Sequence, residues 1–227
     1  MKRDKPIVAI DGPVGVGKSS VASSLAKRLS SLYIDTGAMY RTVTLMALRD
    51  GLNLDDCDAV AALAEKTGIR LERSNGKLKV FNGTEEVTED IRSPEVSAAT
   101  SAVADNPQVR QRLVSLQQEM GENGGVVMEG RDITTVVFPD AEIQIYLDAD
   151  PKIRADRRFK ELQAKGKDVT FEKTLADLME RDKRDKARPV GALTIANNAI
   201  VLDTTQLNQD QVINNLSDIV TDYMTKN

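Results

Sequence analysis

Residues 12–19, GPVGVGKS, match the pattern G-x-x-x-x-G-K-[ST] of a phosphate-binding loop. The apolar run Ile7 to Ile10 precedes this motif, and a helix-like stretch from Ser19 to Leu29 follows it. This is the strand–loop–helix context that such a loop requires. Its glycines allow the backbone to turn N–H groups towards an anion, and the helix N-terminus adds partial positive charge. The motif therefore predicts a chain that binds a nucleoside triphosphate.

Two side chains of the motif carry the expected chemistry. Lys18 is placed to reach the β- and γ-phosphates, and the Ser19 hydroxyl is placed to ligate Mg²⁺. The alternative is a glycine-rich turn that binds nothing. The strand and helix on either side favour the phosphate loop.

The composition limits the kinds of reaction that the chain can catalyse. It has no histidine, so any proton transfer must use Asp, Glu, Lys, Tyr or water. An acceptor that is already ionised needs no base. The net charge of −4 argues against a generally basic nucleic-acid binder. Cys57 is the one cysteine, which rules out an internal disulfide and argues against a zinc site or a Cys–His nucleophile.

Short apolar runs alternate with amphipathic segments along the 227 residues. This alternation predicts a single three-layer α/β/α domain around a five-stranded parallel sheet, with a helical lid. Strands are predicted at residues 6–10, 32–34, 126–129, 142–147 and 199–202. Helices are predicted near residues 18–30, 37–50, 58–67, 94–104, 107–121, 151–165, 171–186 and 208–225. The first apolar run is too short for a signal peptide or a membrane span, so we expect a soluble cytoplasmic protein.

Residues 69–90 break this alternation. Three short strand-like runs are joined by Ser-Asn-Gly and Asn-Gly, and Asn-Gly is a strong hairpin signal. We expect a small antiparallel insert on the side of the α/β core. Inert decoration and a substrate-side flap are both open interpretations.

Residues 35–41, DTGAMYR, follow the second strand and lie beside the phosphate loop in an open parallel sheet. Thr36 offers a hydroxyl, Tyr40 an aromatic face and Arg41 a guanidinium. Together they would stack on a ring and clamp a phosphate. The alternative is a helix N-cap at Asp35 followed by buried side chains.

Residues 129–132, EGRD, follow the third core strand. An acid at this position, Glu129, is where a phosphate-loop enzyme places a second magnesium contact, usually through water. Arg131 and Asp132 would lie at the mouth of the same cleft. The alternative is an exposed turn held by an Arg–Asp pair.

Two later helices each carry a one-sided cationic face. The first face comprises Arg154, Arg157 and Arg158, and the second comprises Arg181, Asp185 and Arg188. Such faces are often solvated surface. In a phosphate-loop protein, two of them favour the clamping of a triphosphate and a transferring phosphoryl group.

These segments resemble bacterial cytidylate kinase, of the nucleoside monophosphate kinase group. The matching segments are IDGPVGVGKS, DTGAMYR, EGRDITTVVFPDA, RADRR, ERDKRDKARP and LDTT, in order over nearly the whole chain. The resemblance implies transfer of a phosphoryl group from ATP to CMP or dCMP with Mg²⁺. The insert at 69–90 lies where this family carries an extra antiparallel insert.

The resemblance also implies a role for each matching residue, with the catalytic charge neutralisation assigned to Lys18, Arg131, Arg158, Arg181 and Arg188. The ATP-binding residues would be Gly12, Pro13, Val14, Gly15, Val16, Gly17, Lys18, Ser19, Ser20 and the lid arginines Arg154, Arg157 and Arg158. The nucleoside pocket would be lined by Thr36, Tyr40 and Gly130, and the acceptor phosphate would be held by Arg41, Arg131 and Arg188. The cytosine edge would be read by Ser101, Arg110 and Asp132. The ribose would be contacted by Arg181 and Asp185. Magnesium would be held by Ser19 and, through water, by Glu129.

The resemblance divides the domain into a core, an acceptor-binding region and a lid. These are residues 1–35, 104–150 and 190–227 for the core, 36–103 for the acceptor-binding region and 151–189 for the lid. We expect ATP and CMP or dCMP as the partners of a monomer that binds no nucleic acid and no membrane. Two positions depart from the family pattern: Glu129 stands in place of Asp, and Thr134 in place of Gly.

Three other functions compete with this interpretation. An adenylate-, uridylate- or shikimate-type kinase would share the fold and differ in its acceptor. A nucleotide switch that reads guanine would need an N-K-x-D motif, which the sequence lacks. A nucleic-acid-binding ATPase conflicts with the acidic net charge and the few aromatic residues.

Overall fold

Five short apolar segments form one parallel sheet, as the sequence predicted. The computed structural model describes residues 3–74 and 77–226. The sheet comprises β1 (Ile7–Asp11), β2 (Leu32–Asp35), β6 (Val126–Gly130), β7 (Ile143–Asp148) and β8 (Ile200–Asp203). Their order is β2-β6-β1-β7-β8, so β1 lies at the centre between β6 and β7.

Helices cover both faces of this sheet, which confirms the three-layer prediction. They are α1 (Lys18–Arg28), α2 (Thr36–Arg49), α3 (Cys57–Lys66), α4 (Pro94–Asp105), α5 (Pro107–Gly121), α6 (Pro151–Ala164), α7 (Phe171–Ala187) and α8 (Gln209–Lys226). Alternate residues of β1 face opposite layers. Ile7 and Ala9 pack with α2 and α5, whereas Val8 and Ile10 pack with α1 and α8.

The helix starts differ in a way that matters for the site. The helices α2 to α7 each begin at a polar residue whose side chain accepts a hydrogen bond from the first turn. Helix α1 begins at Gly17, which has φ +94° and offers no side-chain cap. The first N–H groups of α1 therefore remain available to an anion.

The predicted antiparallel insert is present as β3 (Ile69–Ser74), β4 (Lys77–Asn82) and β5 (Glu85–Glu86). Its buried Val80 and Val87 pack with Leu45, Met46 and Ile91, which attaches the insert to α2 and the turn before α4. The Asn82-Gly83 turn joins β4 to β5, with Gly83 at φ +59°. The predicted Asn75-Gly76 turn lies outside the described residues.

Two smaller features complete the architecture. A π-helical turn, Ile133–Val137, follows β6 and starts directly after Asp132. None of the helices within residues 3–74 and 77–226 is both long and apolar enough to cross a membrane. All five parallel strands end at one edge of the sheet, and the carboxyl ends of parallel strands are where open α/β folds bind ligands.

Candidate active site

The phosphate loop connects β1 to α1 and depends on two glycines. A β-carbon at Gly12 would overlap the carbonyl oxygen of Leu147 on β7, so only glycine lets the loop leave β1 this close to the neighbouring strand. Gly17 has open space around it but a left-handed backbone, φ +94°. These two positions fix where the loop enters and where α1 begins.

Lys18 lies in the loop with its side chain buried. Its ammonium donates hydrogen bonds to the carbonyl oxygens of Gly12 at 2.6 Å and Pro13 at 2.8 Å. Burial, together with the charge of Arg131, lowers the pKa of Lys18 to about 7. An anion bound in the loop would favour the charged ammonium, so the site is electrostatically prepared for phosphate.

Ser19 and Glu129 bring the ends of the loop and of β6 together. The Ser19 hydroxyl donates to Glu129 Oε1 at 2.6 Å, and the Tyr33 hydroxyl lies 3.4 Å from the same oxygen. Burial and the nearby Asp35 raise the pKa of Glu129. Ser20 follows on the exposed side of α1. Glu129, which stands where aspartate was expected, therefore contacts the loop serine directly.

Asp185 joins two of the predicted acceptor arginines. Arg131 Nε donates to Asp185 Oδ2 at 2.8 Å, and Arg188 donates to Asp185 Oδ1 at 3.0 Å. Arg188 Nε also donates to Asp105 Oδ1 at 2.6 Å. Although burial opposes it, the Arg131 guanidinium holds the pKa of Asp185 below its ordinary value. Two arginines from separate elements are thus held on one carboxylate.

Arg181 lies in the same cleft, where the nearby Asp185 compensates its charge only in part. Arg181 makes no ion pair with any residue in the described ranges, and its buried Nε has no hydrogen-bond partner there. Burial and the charge of Arg131 lower the pKa of Arg181 to about 10, and Arg41 and Arg158 add to this effect. Arg41 has only a 3.3 Å contact with Asp35. This surplus of positive charge favours an anionic ligand.

Arg110 and Asp132 form a buried ion pair at the side of the cleft. The Arg110 guanidinium lies 5.7 Å from the centre of the Tyr40 ring, and burial raises the pKa of Tyr40 to about 12. Burial raises the pKa of Asp132 to about 6, although the Arg110 charge opposes the rise. A β-carbon at Gly191 would overlap both partners of the pair, so the loop after α7 packs directly on it.

The remaining predicted pocket residues occupy more ordinary positions. The Thr36 hydroxyl is buried and donates to the Glu129 carbonyl oxygen at 2.8 Å. A β-carbon at Gly130 would lie 2.7 Å from Thr36 Oγ1, so glycine allows α2 to approach β6 closely. Ser101 is half-buried on α4, and its hydroxyl has no hydrogen-bond partner among the residues that the structure describes.

The three predicted lid arginines of α6 lie in three different environments. Arg154 is buried and donates to Val14 O at 2.9 Å and to Asp182 Oδ2 at 2.7 Å. Arg157 donates to Thr204 O at 2.6 Å, in the segment after β8. Arg158 is half-buried and pairs with its helix neighbour Glu161 at 2.7 Å. Their common role as lid residues stays a prediction.

Three residues that tie this site together were not assigned a role from the sequence. Asp11 accepts hydrogen bonds from the turn after Asp132, and Asp182 joins Arg154 to the N–H of Val14 at 3.4 Å. The signal for Asp11 was its place at the end of the central strand, directly before the loop. Asp182 lies inside the matching segment ERDKRDKARP, but its role was not assigned, because its partners come from α6 and the loop. Thr134, noted only as a departure, donates its hydroxyl to Asp11 at 2.6 Å.

Known proteins match this chain over most of its length. A family model described as "Cytidylate kinase" matches residues 8–222. A protein from Pelotomaculum thermopropionicum named "Cytidylate kinase" is 50% identical over 209 residues, 92% of this chain and 92% of that protein. One of the same name from Syntrophotalea carbinolica is 48% identical over 214 residues, 94% of this chain and 91% of that protein.

Solved structures share the fold at much lower sequence identity. An uncharacterized protein from Eubacterium ventriosum matches with a TM-score of 0.51 at 14% identity, covering 99% of this chain and 100% of that one. At this identity the likeness concerns the fold alone. The sequence relatives therefore carry the comparison of function.

Proposed function

The chain belongs to the cytidylate kinase family, and we propose that it transfers the γ-phosphoryl group of ATP to CMP or dCMP. The products are ADP and CDP or dCDP. The observation that carries this proposal is the shared edge of the sheet. There the Lys18 loop lies beside a surplus of arginines and a buried Arg110–Asp132 pair.

The acceptor chemistry suits a chain without histidine. The attacking group is a phosphate oxygen, which is already ionised near pH 7. Catalysis is then a matter of positioning and of neutralising charge on the transferring group. Lys18, Arg131, Arg158, Arg181 and Arg188 are the residues that we assign to this neutralisation.

We assign the donor nucleotide to the loop residues Gly12 to Ser20 and to α6. The uncapped start of α1 and the Lys18 ammonium support this assignment, because both favour phosphate oxygens. Of the three arginines on α6, Arg158 pairs with a neighbour on its own helix, Glu161, so it could turn towards the ATP phosphates without breaking a contact to another element. Arg154 and Arg157 would have to exchange protein acceptors for phosphate.

We assign the acceptor nucleotide to the cleft on the α2 and α5 side of the loop. The phosphate would be held by Arg41, Arg131 and Arg188, and the ribose would be contacted by Arg181 and Asp185. The cytosine edge would be read by Ser101, Arg110 and Asp132. The rest of the pocket would be lined by Thr36, Tyr40 and Gly130. A carboxylate, a guanidinium and a hydroxyl complement the amino donor and the acceptors of cytosine. Arg110 and Asp132 already pair with each other, but the buried Arg110 Nε has no partner among the described residues. A base of different pattern would leave hydrogen-bonding groups of this buried pair, or of the base itself, without a complement, which disfavours it.

Magnesium fits the oxygen atoms that meet between the loop and β6. Ser19 and Glu129 supply a hydroxyl and a carboxylate 2.6 Å apart, and both are hard ligands of the kind that Mg²⁺ takes. Within the described residues no cluster of three acidic, His or Cys side chains is arranged to hold a metal alone. Phosphate oxygens would complete the coordination. When bound, the ion would reduce the negative charge on the phosphates.

We further propose that residues 36–103 and 151–189 move relative to the core as acceptor-binding region and lid. Closure would exclude water and so suppress ATP hydrolysis. We propose a monomer as the working unit.

The test is a coupled ADP-release assay with ATP and Mg²⁺ and a panel of acceptors. The panel comprises CMP, dCMP, UMP, AMP, GMP and shikimate. We expect release dominated by CMP and dCMP, with CDP and dCDP identified as products. A preference for another acceptor would contradict the assignment of cytosine as the base and would still support the assignment as a kinase.

Lys18→Ala is the matched inactive control for this assay. Because Lys18 is assigned to the β/γ-phosphates, its removal is expected to lower turnover by about a hundredfold or more. Near-normal turnover would contradict its role. Absence of acceptor-dependent release in the parent enzyme would contradict the kinase assignment itself.

A further inference from the structure

The Asp11 carboxylate is fully buried, and both of its oxygens accept hydrogen bonds from one short turn. Oδ1 accepts from the N–H of Ile133 at 2.9 Å. Oδ2 accepts from the N–H of Thr134 at 2.8 Å and from its hydroxyl at 2.6 Å. Three donors of two consecutive residues therefore converge on one carboxylate.

Asp11 stands between the two nucleotide sites. It is the last residue of β1 and directly precedes Gly12 of the phosphate loop. The turn that it holds begins directly after Asp132, and the Ile133 side chain in this turn is also fully buried. The position of Asp132 is thus defined on one side by Arg110 and on the other by its own backbone.

We propose that Asp11, together with Thr134, is a positioning residue for base selection. The pair fixes the backbone at residues 133–134 and so aims the Asp132 carboxylate at the base of the acceptor. The inference rests on the proposed function, in which Asp132 reads cytosine. Asp11 touches neither nucleotide in this assignment and acts through the turn.

The physical reason is the directionality of the hydrogen bonds that would read the base. Such bonds weaken steeply when the donor, hydrogen and acceptor leave alignment. An amide at residue 11 offers one acceptor oxygen and turns an NH₂ group towards a donor. One of the three donors of the turn would then lose its partner inside the protein, and the turn would shift to recover one.

Calorimetry on the Asp11→Asn variant tests this inference. We expect the Kd for CMP to rise about tenfold while the Kd for UMP changes less than about twofold. The ratio of the two Kd values isolates base recognition, because both ligands share the ribose and the phosphate. The Kd for ATP, measured in the same variant, reports any disturbance of the neighbouring Gly12.

The Thr134 series provides a second measurement should Asp11→Asn fail to fold. Thr134→Val removes the hydroxyl donor and keeps the branched shape, so we expect it to lower the CMP preference several-fold. Thr134→Ser retains the hydroxyl and should keep the parent preference. Equal preference in Thr134→Val and the parent would remove Thr134 from the proposal.

Glu142→Gln is the control for loss of a carboxylate that accepts a hydrogen bond from the backbone near β1; Glu142 itself is half-buried and directly precedes β7. Glu142 accepts from the N–H of Ile7 at 2.9 Å, at the opposite end of β1 from Asp11. The Glu142→Gln variant should have a lower free energy of unfolding than the parent, but the same ratio of the Kd for CMP to the Kd for UMP. An unchanged ratio in folded Asp11→Asn overturns the inference alone, whereas a parent enzyme without CMP preference overturns the proposed function.

Discussion

The Ser19 hydroxyl donates to Glu129 Oε1 at 2.6 Å, so the phosphate loop and the end of β6 share a hydrogen bond. Glu129→Gln keeps the size of the side chain and removes its negative charge. Since the carboxylate is assigned to Mg²⁺, we expect the Mg²⁺ concentration for half-maximal activity to rise roughly tenfold or more. Activity measured across a Mg²⁺ titration at saturating ATP and CMP checks this.

Tyr33→Phe is the control for that titration. The Tyr33 hydroxyl lies 3.4 Å from the same carboxylate oxygen, so its loss disturbs the neighbourhood without removing a ligand. It should leave the Mg²⁺ dependence close to that of the parent. Identical Mg²⁺ curves for Glu129→Gln and the parent would remove Glu129 from the metal site.

Gly191 and Gly166 share φ +70° but differ in what surrounds them. A β-carbon at Gly166 meets nothing, so Gly166→Ala should cost about 1 kcal/mol of backbone strain. At Gly191 the added methyl also displaces Arg110 and Asp132. We expect Gly191→Ala to lose more stability than Gly166→Ala and, in addition, to raise KM for CMP about tenfold.

Urea unfolding and acceptor kinetics on the two variants separate strain from displacement. The displacement account fails if Gly191→Ala and Gly166→Ala show the same KM for CMP. It also fails if Gly191→Ala raises KM for ATP as strongly as KM for CMP.

Asp132 should give the stability of the ligand-free protein a pH dependence. Burial raises its pKa to about 6, despite Arg110, from an ordinary 3.8. Between these values the folded state binds more protons than the unfolded chain, so this carboxylate lowers stability as pH rises. Asp132→Asn does not titrate. The stability of Asp132→Asn relative to the parent should therefore rise from about pH 4 to about pH 6 and then level off, with a total rise on the order of 3 kcal/mol.

Urea unfolding at several pH values measures this difference. Asp140→Asn serves as the control for loss of one negative charge, because the Asp140 side chain is 69% exposed. A difference between Asp132→Asn and the parent that stays constant from pH 4 to pH 7 would contradict the raised pKa. The same Asp132→Asn protein should also lose its preference for CMP over UMP.

Arg154 and Arg158 should respond in opposite ways to truncation. Arg154→Ala leaves Asp182 as a buried unpaired carboxylate, which should cost about 3–5 kcal/mol of stability. Arg158 is 38% exposed, so Arg158→Ala should change stability by less than about 1 kcal/mol. If Arg158 closes on the ATP phosphates, its loss should lower kcat at least tenfold. Thermal unfolding of both variants measures the changes in stability, and steady-state kinetics measure the changes in kcat. A normal kcat for Arg158→Ala would contradict the lid role of Arg158.

Much of the fold could be read from the sequence because it is written in local patterns. The runs 7–10 and 126–128 are apolar throughout, and the run 143–147 is apolar apart from Gln144, a pattern typical of strands buried on two faces. Proline and glycine mark helix ends, and the phosphate loop is a contiguous motif. The separate segments around Thr36, Glu129 and Arg131 were correctly placed at one edge, since parallel strands end together.

The tertiary structure decided which charges are paired and which are free. Helical spacing places Arg154, Arg157 and Arg158 near one another, yet it does not reveal that Val14, Asp182 and Thr204 accept from two of them. The partners of Asp11 lie more than a hundred residues away along the chain. Hydrogen bonds and ion pairs between distant segments form only when packing places their donor and acceptor atoms to within a few tenths of an ångström. No local sequence pattern specifies that placement. The sequence alone therefore determined the chemistry that the site contains, and the packing determined how each group is held.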